Sequence, residues 1–134
     1  METDLRRATS TVYQALFHCL AKSCADALVG RKVTETTETE WRRVYLALDP
    51  HSARQACTRP AIASFPENIR GIARLFVESQ DRRHAADRDP HGEWFKSEVQ
   101  DRIATARQAI QAFEDADARA KRAFAVHLLF GVER

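Results

Sequence analysis

The chain has 134 residues, 44% of them hydrophobic and 30% charged, which fits one folded domain over residues 1–134 and excludes a disordered chain. Its net charge of +2 is too small to act as a global field, so a phosphate-binding surface has to be a local cluster. Three cysteines without a CxxC pair imply neither a disulfide framework nor a zinc site, and they read as small buried thiols.

Only 4 Gly and 4 Pro interrupt the chain, and the long runs free of both favour helices over many short strands. The opening METDLRR mixes acidic and basic residues and lacks an apolar core, and no stretch approaches the ~20 apolar residues of a membrane span. These features predict a cytoplasmic protein with no membrane association. The first helix is expected from about Thr3 to Val29, because Leu5, Ala8, Val12, Leu16 and Cys19 recur at helical spacing and Leu20, Ala27 and Leu28 extend the stripe. Gly30 is placed to end it.

The polar, β-branched run Val33 to Glu40 reads as a loop holding the next helix cap, either Thr37 or Thr39. A second helix follows from Glu40 to Leu48, with Trp41, Val44, Tyr45 and Leu48 on one face. Asp49 as cap and Pro50 in the first turn start a third, through about Thr58. Thr58-Arg59-Pro60 is a break. A fourth helix runs from Glu67 to about Arg83, and Asp89-Pro90-His91-Gly92 is a loop by composition. The last helix opens on Ser97-Glu98-Val99-Gln100, a capping-box pattern, and its stripe of Val99, Ile103, Ala106, Ile110 and Phe113 extends through Phe124 to Leu128. It is either one very long helix or two broken near Asp115 to Asp117. The fold class is therefore all-α, an antiparallel bundle of four to five helices. If unbroken, the last helix projects Phe124, Val126, Leu128, Leu129 and Phe130 beyond the core, and a homodimer is the economical way to cover them.

The run from Asp81 to His91 is the most suggestive for function: it holds three Arg, two His and three Asp. Continued as a helix, it makes Arg83 and Asp87 an i,i+4 pair and sets His84 beside Arg88. Arg carries a rigid fork matched to phosphate, and His exchanges a proton near neutral pH. Together they suffice for metal-free RNA cleavage, with Arg83 polarising phosphate, His84 as acid/base and Asp87 orienting one of them. Arg82 and Arg88 would add phosphate contacts. The same run also reads as a solvated helix end whose charges satisfy one another. On the first helix, Ser10, Tyr13 and Phe17 share a face with His18 one step round, so Tyr13 either orders a substrate-binding pocket or is core. His51, in the first turn of the third helix, is a further phosphate-binding candidate or a surface His. Trp41-Arg42-Arg43 reads as a nucleic-acid stacking element or as core plus surface charge. The charges from Asp115 to Arg122 read as a solvated face. No metal-ligand spacing, Gly-rich phosphate loop or Ser/His/Asp pattern is visible, and no cofactor is expected.

The segment Ser10-x-x-Tyr13-x-Ala15-x-Phe17-His18 resembles the first-helix signature of HEPN-domain proteins, S-x-A-Y-Y-A-x-F-H. Arg83-x-x-Ala86-Asp87-x-Asp89-Pro90 is similar to the R-x-x-A-D-Y-D-P turn of one branch of that superfamily. Val12, Gln14 and Arg88 depart from these patterns. The R-x4–6-H motif of the endoribonuclease branch is missing here, since Arg83 and His91 have seven residues between them and Arg82 and His84 one. Arg122 and His127 fit that spacing, but their apolar intervening residues mark it as a coincidence. The resemblance implies a dimeric helical bundle of toxin–antitoxin, defence or RNA-processing settings. It also implies RNA or a nucleotide as ligand, and a nucleotidyltransferase-like or antitoxin protein as partner. Activity stays open: the chain is either a non-standard, metal-independent endoribonuclease-like module, or a non-catalytic dimerisation and adaptor protein.

Overall fold

The computed structural model describes residues 2–31, 34–88 and 96–131, apart from the side chains of residues 2–6 and 87. Every regular element among them is helical: α1 (Glu2–Leu28), α2 (Glu38–Ala47), α3 (Pro50–Thr58), a 3-10 turn (Pro60–Ser64), α4 (Glu67–Arg88), α5 (Lys96–Glu114) and α6 (Ala118–Phe130). The chain is thus an all-α helical bundle, with six α-helices among the described residues rather than four or five. No helix among the described residues is long and apolar enough to cross a membrane.

The 27-residue α1 is the axis, packing against α2, α4, α5 and α6. Its buried stripe of Val12, Tyr13, Leu16, Leu20 and Cys24 follows the 3/4 spacing of the sequence. Ala21, Cys24 and Ala25 are fully buried, and their small side chains let neighbouring helices approach closely. The helix stops at Leu28, and Gly30 follows with φ 129°, a left-handed conformation that a Cβ would disfavour.

α3 starts as its sequence dictates. The Asp49 carboxylate accepts hydrogen bonds from the His51 and Ser52 amides and from the Ser52 hydroxyl at 3.2, 3.1 and 2.6 Å, and Pro50 fills the first helical position. Two caps differ from expectation in part or whole. Thr37 holds the cap position of α2, as one of the two candidates, but its hydroxyl accepts from the Thr34 amide instead of from the helix. α5 begins at Lys96, so Ser97 lies inside its first turn and is not its cap.

The last stripe divides in two. Two aspartates with low helix propensity flank the buried Ala116 at the corner, and the Lys121 ammonium donates to the Glu114 carbonyl at the end of α5 (2.8 Å). Folding back places Phe124 and Leu128 in the core, where Phe124 meets Phe113 edge to face at 5.9 Å. Each such burial is worth about 1.5–3 kcal/mol, which an overhanging helix would forgo. Val126 and Phe130 stay exposed, but the long projecting helix that argued for a homodimer is not formed.

The Ser52 hydroxyl, and then the Ser52 and His51 amides, hold the Asp49 carboxyl below its ordinary value. A lowered carboxyl pKa stabilises the fold above the unfolded value of about 4 and ceases to as the pH falls through the folded value. Asp49→Ala should cost about 1 kcal/mol in urea melts near neutral pH, and that deficit should shrink as the pH falls through the lowered carboxyl value.

Candidate functional site

α4 extends to Arg88, beyond the expected end near Arg83, so the Asp81–His91 run divides at a helix end. On the inner face of α4, Ile69, Ile72, Ala73, Phe76, Ser79 and Gln80 are buried, and Arg83 continues this stripe two turns beyond Phe76. The Arg83 guanidinium carbon lies 4.9 Å from the centroid of the Tyr13 ring. Tyr13 in turn stacks on Phe76 (5.6 Å) and Phe17 (6.4 Å), and Phe17 meets Phe76 at 6.1 Å. A planar cation over an aromatic face is attractive by about 0.5–2 kcal/mol, and the apolar stem of Arg suits the edge of a core. The pairing also sets direction: α1 rises from Tyr13 to Phe17 as α4 descends from Arg83 to Phe76, so the two helices are antiparallel.

The structure thus joins the two motif segments, but as a packing contact. Tyr13, a candidate substrate-binding residue, is 4% exposed, with its ring inside the stack. Arg83 turns inward to it. His84 is the next residue, ~100° round the helix, and is exposed. Arg83 and His84 of one chain therefore point to different sides of α4. The Asp87 side chain, and all of Asp89, Pro90 and His91, lie outside the described residues.

The rest of the run has separate duties. Asp81 accepts from Arg54 of α3 at 2.8 Å, and Arg54 also donates to the Gln80 side-chain Oε1 at 3.0 Å, tying α3 to α4. Arg82 faces α5. Desolvation first, and then the charge of Arg82, lower the pKa of Arg102, against the opposing effect of Glu98 at 3.8 Å. Arg82, His84 and Arg88 are exposed, and their side chains hydrogen-bond to no described residue. His51 is exposed at the start of α3, where only its amide is engaged, by Asp49.

The Arg122/His127 pair separates as well. Five residues on a helix turn through ~140°, and the two side chains serve different faces. The His127 ring shares a hydrogen bond of 2.7 Å with the Ala56 carbonyl through Nε2 and packs against Phe65 and Phe124. Arg122 lines a groove on another side.

That groove, about 590 Å³, runs between α1, α5 and α6 and was not legible as a site in the sequence. Its α1 wall carries His18, Lys22 and Asp26, one turn apart, and these belong to a chain of contacts with α2. His18 Nδ1 is 2.7 Å from the Tyr45 hydroxyl, Tyr45 stacks on Trp41 at 5.4 Å, the Trp41 indole donates to Asp26 at 2.9 Å, and Lys22 pairs with Asp26 at 3.0 Å. Trp41 is thereby a strut between α1 and α2. Cys19 also lines the groove; burial, helped by the Glu114 carboxylate, pushes its thiol up to about 12. Cys24 and Cys57 are raised to about 12 by burial, so all three free thiols are protonated at neutral pH. No group of three or more His, Cys, Asp or Glu among the described residues is arranged to hold a metal ion.

A packing role for His127 and a surface role for Arg122 have distinct signatures. His127→Ala should destabilise by about 1–3 kcal/mol, while Arg122→Ala should stay within about 0.5 kcal/mol, both read from denaturant melts. No protein-family model, curated protein or solved structure matches the chain.

Proposed function

We propose that the protein is a HEPN-like, RNA- or nucleotide-associated module of a toxin–antitoxin or defence system that binds without cleaving through Arg83. The observation that carries this reading is the exposed end of α4. Arg83 is held over Tyr13, whereas His84 and Arg88, one turn apart, stand exposed on one flank and Arg82 on the other. Exposed arginines attract the phosphate backbone by charge and counterion release, independent of base sequence. The resemblance supplies the setting, a homodimer and a nucleotidyltransferase-like or antitoxin partner; dimerisation would bring two such surfaces into one assembly. His51 is also exposed, at the start of α3.

The second reading is a non-catalytic adaptor that docks a partner protein. It draws on the same Arg83–Tyr13 contact, which gives the Arg83 motif a structural purpose requiring no ligand.

The test is fluorescence anisotropy of a short labelled single-stranded RNA, in chelator, with electrophoresis of the recovered RNA. The proposed module binds with an affinity that falls steeply with salt. Arg82→Glu with Arg88→Glu weakens binding at least tenfold at unchanged melting temperature, and the RNA is recovered intact. No salt-dependent binding by the unaltered chain would favour the adaptor. Cleavage lost in His84→Ala would restore the nuclease assignment.

A further inference from the structure

The seam between α4 and α5 brings a second arginine to the end of α4. The two helices pack together and are joined by the short segment 89–95, so they run antiparallel. A groove between them sets the register: Glu67 to Glu78 of α4 face Thr105 to Ala112 of α5, with Glu78 level with Thr105. About one turn beyond Glu78 comes Arg82, and about one turn before Thr105 comes Arg102. The two arginines therefore stand level across the seam.

Both sit beside the packed stripes of their helices. Arg82 lies between the buried Ser79 and Ala86, one turn to either side, and Arg102 lies in the same way between the buried Val99 and Ala106. Only 25% of the Arg102 side chain is exposed, so its apolar stem is held and its guanidinium is partly ordered in advance. Burial first, and then the charge of Arg82, weigh against the Arg102 cation.

Nearby carboxylates offset this pair only in part. Glu98 is 3.8 Å from Arg102, and 58% of its side chain is exposed. Asp81 is taken by Arg54. Glu78 and Asp101 make no ion pair with a described residue.

Two guanidiniums held side by side form a seat for an anion, and their forks select which one. Each fork lays two N–H groups against two oxygens. A phosphodiester inside a strand offers two unbridged oxygens and one charge. A terminal phosphomonoester offers three, with nearly two charges near neutral pH. His84 and Arg88 lie on the other flank of α4, so the seam holds one phosphate and is not a track for several.

We infer, resting on the RNA-binding reading above, that Arg82 and Arg102 together hold the terminal phosphate of a single-stranded RNA.

Fluorescence anisotropy with one short, internally labelled RNA in three forms tests this: phosphorylated at the 5′ end, phosphorylated at the 3′ end, and unphosphorylated. One phosphorylated form should bind the full chain at least tenfold more tightly than the unphosphorylated one, and which form does so identifies the end. Arg82→Gln, and Arg102→Lys, which keeps the charge but not the fork, should each remove that preference at unchanged melting temperature. Arg107→Gln, at an exposed position of α5 away from the seam, should keep it. Equal binding of all three forms would overturn the seat and leave the RNA-binding reading standing; binding of none would remove both. The seat is also overturned if Arg107→Gln removes the preference as Arg102→Lys does. AMP displacing the phosphorylated RNA at equal concentration would assign the seat to a free nucleotide and overturn its assignment to an RNA end.

Discussion

The structure depends on how completely α1 is enclosed. Four helices share its surface, and its residues assign each a strip: the small Ala21, Cys24 and Ala25 permit close approach, and Tyr13 and Phe17 meet α4. Small side chains set short interaxial distances, while rings fix lengthwise register because they interlock only at certain positions. The Tyr13–Phe17–Phe76 stack holds α4 lengthwise against α1, and Arg83 covers its open end. The position of the end of α4, including the exposed His84 and Arg88, follows from that contact.

The same enclosure explains why two surfaces with different chemistry coexist on so small a chain. At the end of α4 the outward side chains include Arg82, His84 and Arg88. Between α1, α5 and α6, along the small Ala15 and Ala27 of α1, a groove stays open instead of a packed seam. Polar contacts along its edge, from Lys22 through Asp26 and Trp41 to Tyr45 and His18, bind α2 to the outer side of α1. Their individual contributions are modest, about 1 kcal/mol each, but they fix the orientation of one groove wall.

Much of the architecture was readable from residues one turn apart. The apolar stripes of α1 and α4, the Asp49-Pro50 start and the Gly30 stop all express interactions within about four positions, and they appear as expected. The break at Asp115 to Asp117 was left between two options because Val99 through Leu128 keeps helical spacing on either route; only burial of Phe124 against Phe113 and Phe65 decides it. The inward turn of Arg83 has no local signature that decides it, since its ring partner is 70 positions away, at Tyr13. Lys121 and Arg122, read as a solvated face, line a channel because of that same corner. The His18–Tyr45 and Trp41–Asp26 bonds span 27 and 15 positions and leave no local pattern to read.

The central claim is that Arg83 serves the packing of α4 on α1, and a double-mutant cycle tests it most directly. Stabilities of the unaltered chain, Tyr13→Leu, Arg83→Ala and the double variant, from urea melts, should show a favourable coupling of about 0.5–2 kcal/mol between the two positions. Strictly additive effects, with Arg83→Ala leaving stability unchanged while abolishing RNA binding, would contradict it and return Arg83 to the ligand.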